Sequence, residues 1–301
     1  MVATRLHYKL PTGTHYLDLN RDLSEYHRKL HRQKVVTTVY GGFMRNNNGT
    51  SAKFNVAPLN WVSKTAVNRA FKLWRRMVSE TLKNNDGLKS GRYNDFKVRL
   101  TGEVGSASYK SAVDAAGAPM SLGEWDYSTI SQPRMIDEDG DGELGLDDDM
   151  DQFDLHIVGE NRQNSATDRL TVGLINSWYQ SRPVIDGSGS PTQIPDINEP
   201  LANLFNVHDD DSEKVTIIQA EGDQPPYNRD APFGMVGTGT NYGGLSAVAV
   251  ADNDATNQTT ALGSQIVGFQ ALCGLVQVVV NADGGSVADI YIDVESEGEK
   301  F

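Results

Sequence analysis

The sequence predicts a mainly β protein: a jelly-roll β-sandwich with one long and one short inserted helix. Two observations carry that prediction. Short runs of alternating or β-branched residues recur along the chain, divided by clusters of Gly, Pro, Asn and Asp. Only two stretches show a helical spacing of apolar residues. Ten or more short strands separated by turns fit a sandwich or jelly roll, and the 301 residues are read as one such domain over 1–301.

Residues 4–10 (Thr-Arg-Leu-His-Tyr-Lys-Leu) alternate as a strand that Pro11-Thr12-Gly13 stops. Asn20 to Gln33 reads as the short helix, capped by Asn20 or Asp22. Leu23, His27 and Leu30 lie on one face, and Arg21, Arg28, Lys29 and Arg32 on the other. Val35 to Arg45, the turn Asn46-Asn47-Asn48-Gly49, and Ser51 to Val56 read as a hairpin.

Trp61 to Asn84 reads as the long helix, capped by Asn60 or Ser63. Val67, Phe71, Trp74, Val78 and Leu82 recur at three- and four-residue spacing and form one apolar face. Lys64, Arg69, Lys72, Arg75, Arg76 and Lys83 lie in the same stretch, with Glu80 as the only acid between them. Cations without acidic partners attract phosphate, so these six are the candidate nucleic-acid contacts, against the plainer reading of a solvated face.

Tyr93 to Leu100 and Trp125 to Ile130 follow as strands, with a small-residue loop from Gly102 to Leu122 between them. Phe153 to Val158, Arg169 to Asn176, Arg182 to Ile185 and Lys214 to Ala220 continue the β pattern. A Gly/Pro-rich loop runs from Gln224 to Gly244. Leu245 to Ala251, Gly263 to Gln270 and Cys273 to Asn281 are strands, and Asp283-Gly284-Gly285 turns the last of them into Val287 to Val294 as a hairpin.

Asp137 to Asp151 has the spacing of a calcium loop. Asp137, Asp139 and Asp141 stand at positions 1, 3 and 5, Gly142 at 6, Glu143 at 7 with its backbone carbonyl, Leu144 at 8 and Asp148 at 12. A hard cation that takes six to eight oxygens suits this donor set. Pro133 before the loop and the alternating Phe153 to Val158 after it place the loop between strands, not between the helices of an EF-hand. The bland alternative is an acidic turn whose glycines serve the backbone.

Charge divides along the chain. Residues 1–110 hold 20 Lys+Arg and 7 Asp+Glu, and residues 111–301 hold 7 and 33. A basic part and an acidic part point to two surfaces with different partners. No catalytic constellation is present. Gly237 to Tyr242 lacks the lysine of a phosphate loop, no G-x-S-x-G elbow occurs, and His27 with His31 reads as a helix-surface pair. The single cysteine, Cys273, excludes an internal disulfide framework and a cysteine-rich zinc site. The first residues lack the apolar core of a signal peptide. The longest nearly apolar run, Val267 to Val280, is too short to span a bilayer. The chain therefore reads as a non-enzyme made in a reducing cell interior.

Several blocks resemble a known family. They are Tyr16-Leu17-Asp18-Leu19 with Arg28 to Gln33; Trp61-Val62 with Ala70 to Trp74; Tyr93 to Val98; Gln152 to His156; Pro200 to Phe205; Pro225-Pro226-Tyr227; and Cys273-Gly274-Leu275. Together these are similar to the capsid proteins of small circular, Rep-encoding single-stranded DNA viruses. The resemblance implies a jelly roll, self-assembly into an icosahedral shell, a packaged single-stranded DNA genome and residence in the virion. No arginine-rich run is present in this sequence, so charge toward DNA is expected from residues 1–110. The alternative from another class is a calcium-dependent β-sandwich binding or attachment module.

Overall fold

The computed structural model describes residues 3–33, 35–46, 50–84, 90–102, 109–132, 151–159, 161–163, 170–180, 244–253, 262–282, 287–295 and 299–300. The chain divides into one packed unit, Met1–Trp178 with Phe233–Phe301, and another, Tyr179–Pro232. In chain order the elements begin β1 (Ala3–Leu10), β2 (Gly13–Asp18), α1 (Leu19–His27), β3 (Val35–Asn46), β4 (Thr50–Val56) and α2 (Trp61–Asn84). Then come β5 (Arg99–Thr101), β6 (Tyr109–Lys110), β7 (Thr129–Gln132), β8 (Asp151–Val158), β9 (Arg162–Gln163), β10 (Leu170–Gly173) and α3 (Leu174–Gln180). The chain closes with β11 (Ser246–Asn253), β12 (Leu262–Leu272), β13 (Leu275–Ala282), β14 (Ala288–Glu295) and β15 (Glu299–Lys300).

The protein is mainly β, and two of its sheets share one core as a sandwich. One sheet runs β1-β14-β3-β12, with β15 also on β3, and the other runs β11-β4-β13-β2-β6. Period-two alternation explains the layering. In β1, Leu6, Tyr8 and Leu10 point inward while Arg5, His7 and Lys9 point out. In β14, Ala288, Ile290, Ile292 and Val294 are all fully buried. Val276, Val278 and Val280 of β13 line the same core, and Phe54 of β4 meets Phe269 of β12 at 5.9 Å between ring centroids. The pairings are nested: β1 with β14, β2 with β13, β3 with β12, and β4 with β11, all antiparallel.

Between β4 and β11 the chain inserts α2, a third sheet and α3. That sheet runs β5-β8-β10-β9 with β7 on β8, and its β5–β8 and β8–β10 pairs are parallel. β7 and β8 pair antiparallel, ending at Gln132 opposite Asp151. Strands therefore flank the acidic segment on both sides, as its sequence predicts. Residues 133–150 themselves, with Asp137, Asp139, Asp141, Glu143 and Asp148, lie outside the described residues. So do the strands expected at Arg182 to Ile185 and Lys214 to Ala220.

Both expected hairpins are overturned. β3 and β4 belong to different sheets, as do β13 and β14. Turn residues dictate a reversal of direction, but alternation buries one face of a strand whichever sheet it joins. The corner between β12 and β13 is equally a crossing. Cys273 (φ 57) and Gly274 (φ 69) both take left-handed conformations there. A Cβ on Gly274 would stand 2.6 Å from Nδ2 of Asn20, which donates to the Cys273 carbonyl at 2.9 Å. Asn20 thus pins this corner and is not a helix cap.

Other expectations shift as well. α1 ends at His27, six residues before the expected Gln33, with Arg28 left-handed (φ 52) at its C-cap. Its N-cap is Asp18, whose side chain accepts from the Arg21 amide. The expected strand over Tyr93 to Leu100 reduces to β5, because the amides of Lys97 and Val98 donate to the Ser128 hydroxyl and the Gln33 side chain in place of a ladder. The strand expected from Trp125 starts only at Thr129, since Trp125 and Tyr127 turn their polar tips toward Asp18. Leu174–Asn176, expected as strand, begins α3, a helix that the sequence reading did not contain.

A buried polar seam ties the segment after α2 to the sandwich. Asp18 Oδ2 accepts from Gln33 Nε2 (2.7 Å), Trp125 Nε1 (3.0 Å) and the Tyr127 hydroxyl (3.4 Å). Asp22 accepts from the Tyr8 hydroxyl (2.7 Å), Arg21 Nε (3.2 Å) and the Ala112 amide (3.2 Å). Arg21, expected on an exposed basic face, is buried here and donates to the Lys110 carbonyl at 2.8 Å. Of these two carboxylates without solvent exposure, Asp22 pairs with the Arg21 guanidinium, while Asp18 accepts from the Arg21 backbone amide and feels the guanidinium only through its charge.

Burial pushes the Asp22 carboxyl up from its ordinary 3.8 to about 6, against the opposing pull of Arg21 and Tyr8. Between those values the folded state holds a proton that the unfolded chain has released. The contribution is therefore fully present below about pH 4 and is lost as pH rises through about 6. Urea unfolding at pH 7, 6 and 5 should show the wild type gaining about 1 kcal/mol relative to Asp22→Asn as pH falls. Parallel curves for the two proteins would mean that Asp22 does not titrate in this window.

Candidate nucleic-acid interface

α2 runs from Trp61 to Asn84, the bounds its periodicity predicts. Asn60 caps it: its Oδ1 accepts from the Ser63 amide at 2.9 Å and from the Ser63 hydroxyl at 3.0 Å. Val62, Ser63, Ala66, Val67, Ala70 and Trp74 are buried. The helix is seated on aromatic rings. Phe96 meets Phe71 and Trp74, each at 5.9 Å between centroids, and Trp178 of α3 meets Trp61 at 5.2 Å.

That seating turns the basic side chains outward. Arg69, Lys72, Arg75, Arg76 and Lys83 are exposed and Lys64 is half-buried. At 3.6 residues per turn the six sweep an arc of about 140°, opposite the buried arc, and extend about 28 Å along the axis. Arg76 is the exception to an unpaired row, since its Nε donates to Glu80 at 2.8 Å. Both partners are solvent-exposed, so water and salt screen the pair and Arg76 can exchange Glu80 for a phosphate. Beyond the helix Arg92 lies 5.7 Å over the ring of Tyr93, which is itself exposed. This pair has the chemistry to stack a base, a signal that the helical charge pattern did not contain.

The charge division of the sequence is only partly a division of surfaces. The basic β1 lies against the acidic β14, and their register sets Arg5 opposite Asp293, His7 opposite Tyr291 and Lys9 opposite Asp289. Arg5 binds Asp293 through two hydrogen bonds of 2.7 and 2.8 Å and holds that carboxyl below its usual range. His7, Tyr291 and Phe43 stack in one row across three strands, with centroids 4.2 and 4.4 Å apart. Arg99 and Asp154 pair again across the division at 3.0 Å. These partners are far apart in sequence, which is why local charge counts missed them.

Among the described residues no group of three or more His, Cys, Asp or Glu is placed to hold a metal. His27 and His31 form a pair, Nδ1 to Nε2 at 3.0 Å, with Thr4 on the other nitrogen of His27. Cys273 is buried, and burial raises its thiol far above the ordinary range, which suits an inert core position. No described helix is long and apolar enough to cross a membrane. Comparison with protein-family models, with curated proteins and with solved structures finds no match to this chain.

Replacing Arg69, Lys72, Arg76 and Lys83 together by Gln tests the α2 face. For single-stranded DNA the slope of log K against log salt should fall by about 2–3, at ~0.7 per phosphate contact. The buried face is untouched, so the melting temperature should stay within a few degrees. An unchanged slope would leave the face as solvated surface.

Proposed function

We propose that this chain is the coat subunit of a small virus with a circular, Rep-encoded single-stranded DNA genome, and that its sandwich is a jelly roll. The observation that carries this reading is the nested pairing of β1 with β14, β2 with β13, β3 with β12 and β4 with β11, folded over into two sheets. Such nesting supports a long hairpin rolled into two Greek keys, an architecture of viral capsid domains that lectins and cupins also use. The fold alone does not choose among these. The outward basic arc of α2 favours a nucleic-acid partner over a sugar. The sequence blocks described above favour the same family.

In this reading copies of the chain assemble into a closed icosahedral shell, and α2 contributes positive charge toward the genome. The subunit is structural, without catalysis, and resides in the virion. Purified protein examined by sedimentation and negative-stain microscopy should form closed shells over some range of salt and pH. Shells made in the presence of single-stranded DNA should protect it from nuclease. Monomers or small oligomers under all conditions would overturn the reading.

The acidic segment adds a calcium site to the proposal, with Asp137, Asp139, Asp141, Glu143 and Asp148 as its donors. Its support is the ligand spacing together with the β7–β8 pairing that holds both ends of the segment at ladder distance. Asp148 is one methylene shorter than the usual glutamate, so affinity should fall near ~10⁻⁴–10⁻³ M. Calcium should raise the melting temperature of the wild type, by mass action on the folded state, and leave Asp139→Ala/Asp141→Ala unmoved. Equal shifts in both proteins, or none in either, would return the segment to an acidic turn.

A further inference from the structure

A sheet edge exposes unpaired amides and carbonyls, and soluble proteins blunt such edges with short strands, charges, proline, bulges or a covering segment. The sandwich has four edges, and three are treated in one of these ways. β1 carries Arg5 and Lys9, and the Val113 amide donates to its His7 carbonyl at 2.7 Å. β6, at the edge beyond β2, is only two residues long. β11 carries Asp252, and its register shifts between Ala247 and Ala249.

Among the described residues the fourth edge, β12, shows none of these features. It is eleven residues long, Leu-Gly-Ser-Gln-Ile-Val-Gly-Phe-Gln-Ala-Leu, without a charge or a proline. Its register with β3 runs from Leu262 opposite Asn46 to Leu272 opposite Val36 with no shift. Among the described residues no strand pairs with its other side. Val267, in the middle of this strand, is 67 % exposed, the largest value for a big apolar side chain among the described residues. Gln265 and Gln270 are exposed on either side of it.

We propose that β12 is the strand through which two copies of this chain pair, edge to edge and antiparallel, joining their β1-β14-β3-β12 sheets into one. The occupant follows from charge and symmetry. A twofold axis sets each strand against its own reversed copy, so any charge on the strand would face a like charge nearby. β1 would bring Arg5 and Lys9 against themselves, whereas β12 brings only Gln, Ser, Gly and apolar residues. The paired strands would exchange backbone hydrogen bonds, set glutamine amides side by side and cover Val267. This inference rests on the self-assembly reading for its place in a shell, and names one contact of that assembly.

The test uses the full chain. Gln265→Lys/Val267→Lys alters two outward side chains, so circular dichroism and the melting temperature should match wild type. Sedimentation should show wild-type dimers or larger species, and dimerisation at least tenfold weaker in the variant. Single cysteines placed at Gln265, Val267 and Gln270 can be spin-labelled selectively, because the one native thiol, Cys273, is fully buried. Label distances should be shortest beside the twofold axis and lengthen along the strand in both directions. Protection from hydrogen exchange, in a dilute monomer, of the β12 amides that point away from β3 would overturn the inference, since the outer edge would then be covered within its own chain. Shells that assemble equally well from the lysine variant would overturn it too, while leaving the coat reading intact. Dimers through β12 that never close into shells would uphold it and defeat the coat reading.

Discussion

A carboxylate with no access to water must find every hydrogen bond inside the protein, and Asp18 is the residue on which this demand falls hardest. It ends β2, caps α1 and accepts from Gln33, Trp125 and Tyr127. Gln33 in turn accepts from the Val98 amide at 2.6 Å. One side chain therefore joins the sandwich, its first helix and the segment that follows α2. Burial raises the Asp18 carboxyl above its ordinary range, and Arg21 with the surrounding donors opposes the rise. A buried ion pair of this kind gives little net stability, but losing a partner leaves an uncompensated charge. The seam therefore specifies one arrangement of the segment more than it strengthens the fold.

The position of α2 depends on that arrangement. Phe96, which receives Phe71 and Trp74, lies one residue before Lys97 and two before Val98, whose amides are held by Ser128 and Gln33. The polar seam thus fixes the ring on which the apolar face of α2 rests. The helix then has one way to sit, and its cations face out as a consequence. The proposed contact with DNA is in this sense set from Asp18 outward, through packing and not through any local feature of the basic residues.

The sandwich also explains why, among the described residues, basic and acidic parts of the sequence meet in ion pairs. In this nested pairing β1 lies beside β14, so the basic beginning of the chain and its acidic end become neighbours. Arg5 and Asp293 neutralise each other at the sheet surface. Among the described residues, the excess cations on α2 stand outside this compensation, and they are where positive charge remains for a partner. β12 differs from α2: it is neutral, and its recognition chemistry would be that of the backbone.

Much of this protein is legible residue by residue. Alternating or β-branched runs marked β1, β3, β4, β8, β11, β12, β13 and β14, because a strand in a packed sheet buries at least one face regardless of its partners. Three- and four-residue spacing marked both ends of α2, because a 24-residue helix with one apolar stripe leaves a long periodic trace. The candidate cations of α2 followed from the same pattern. Partner choice was not legible. The two apparent hairpins cross between sheets, Asn20 pins a distant corner, Arg21 is buried, and Asp18 caps the helix that Asn20 or Asp22 was expected to cap. All but the last of these depend on residues tens or hundreds of positions away. Local sequence determined which residues turn inward and where the chain reverses; only the tertiary structure decided which strands meet, because pairing register is settled by long-range burial that no short window contains.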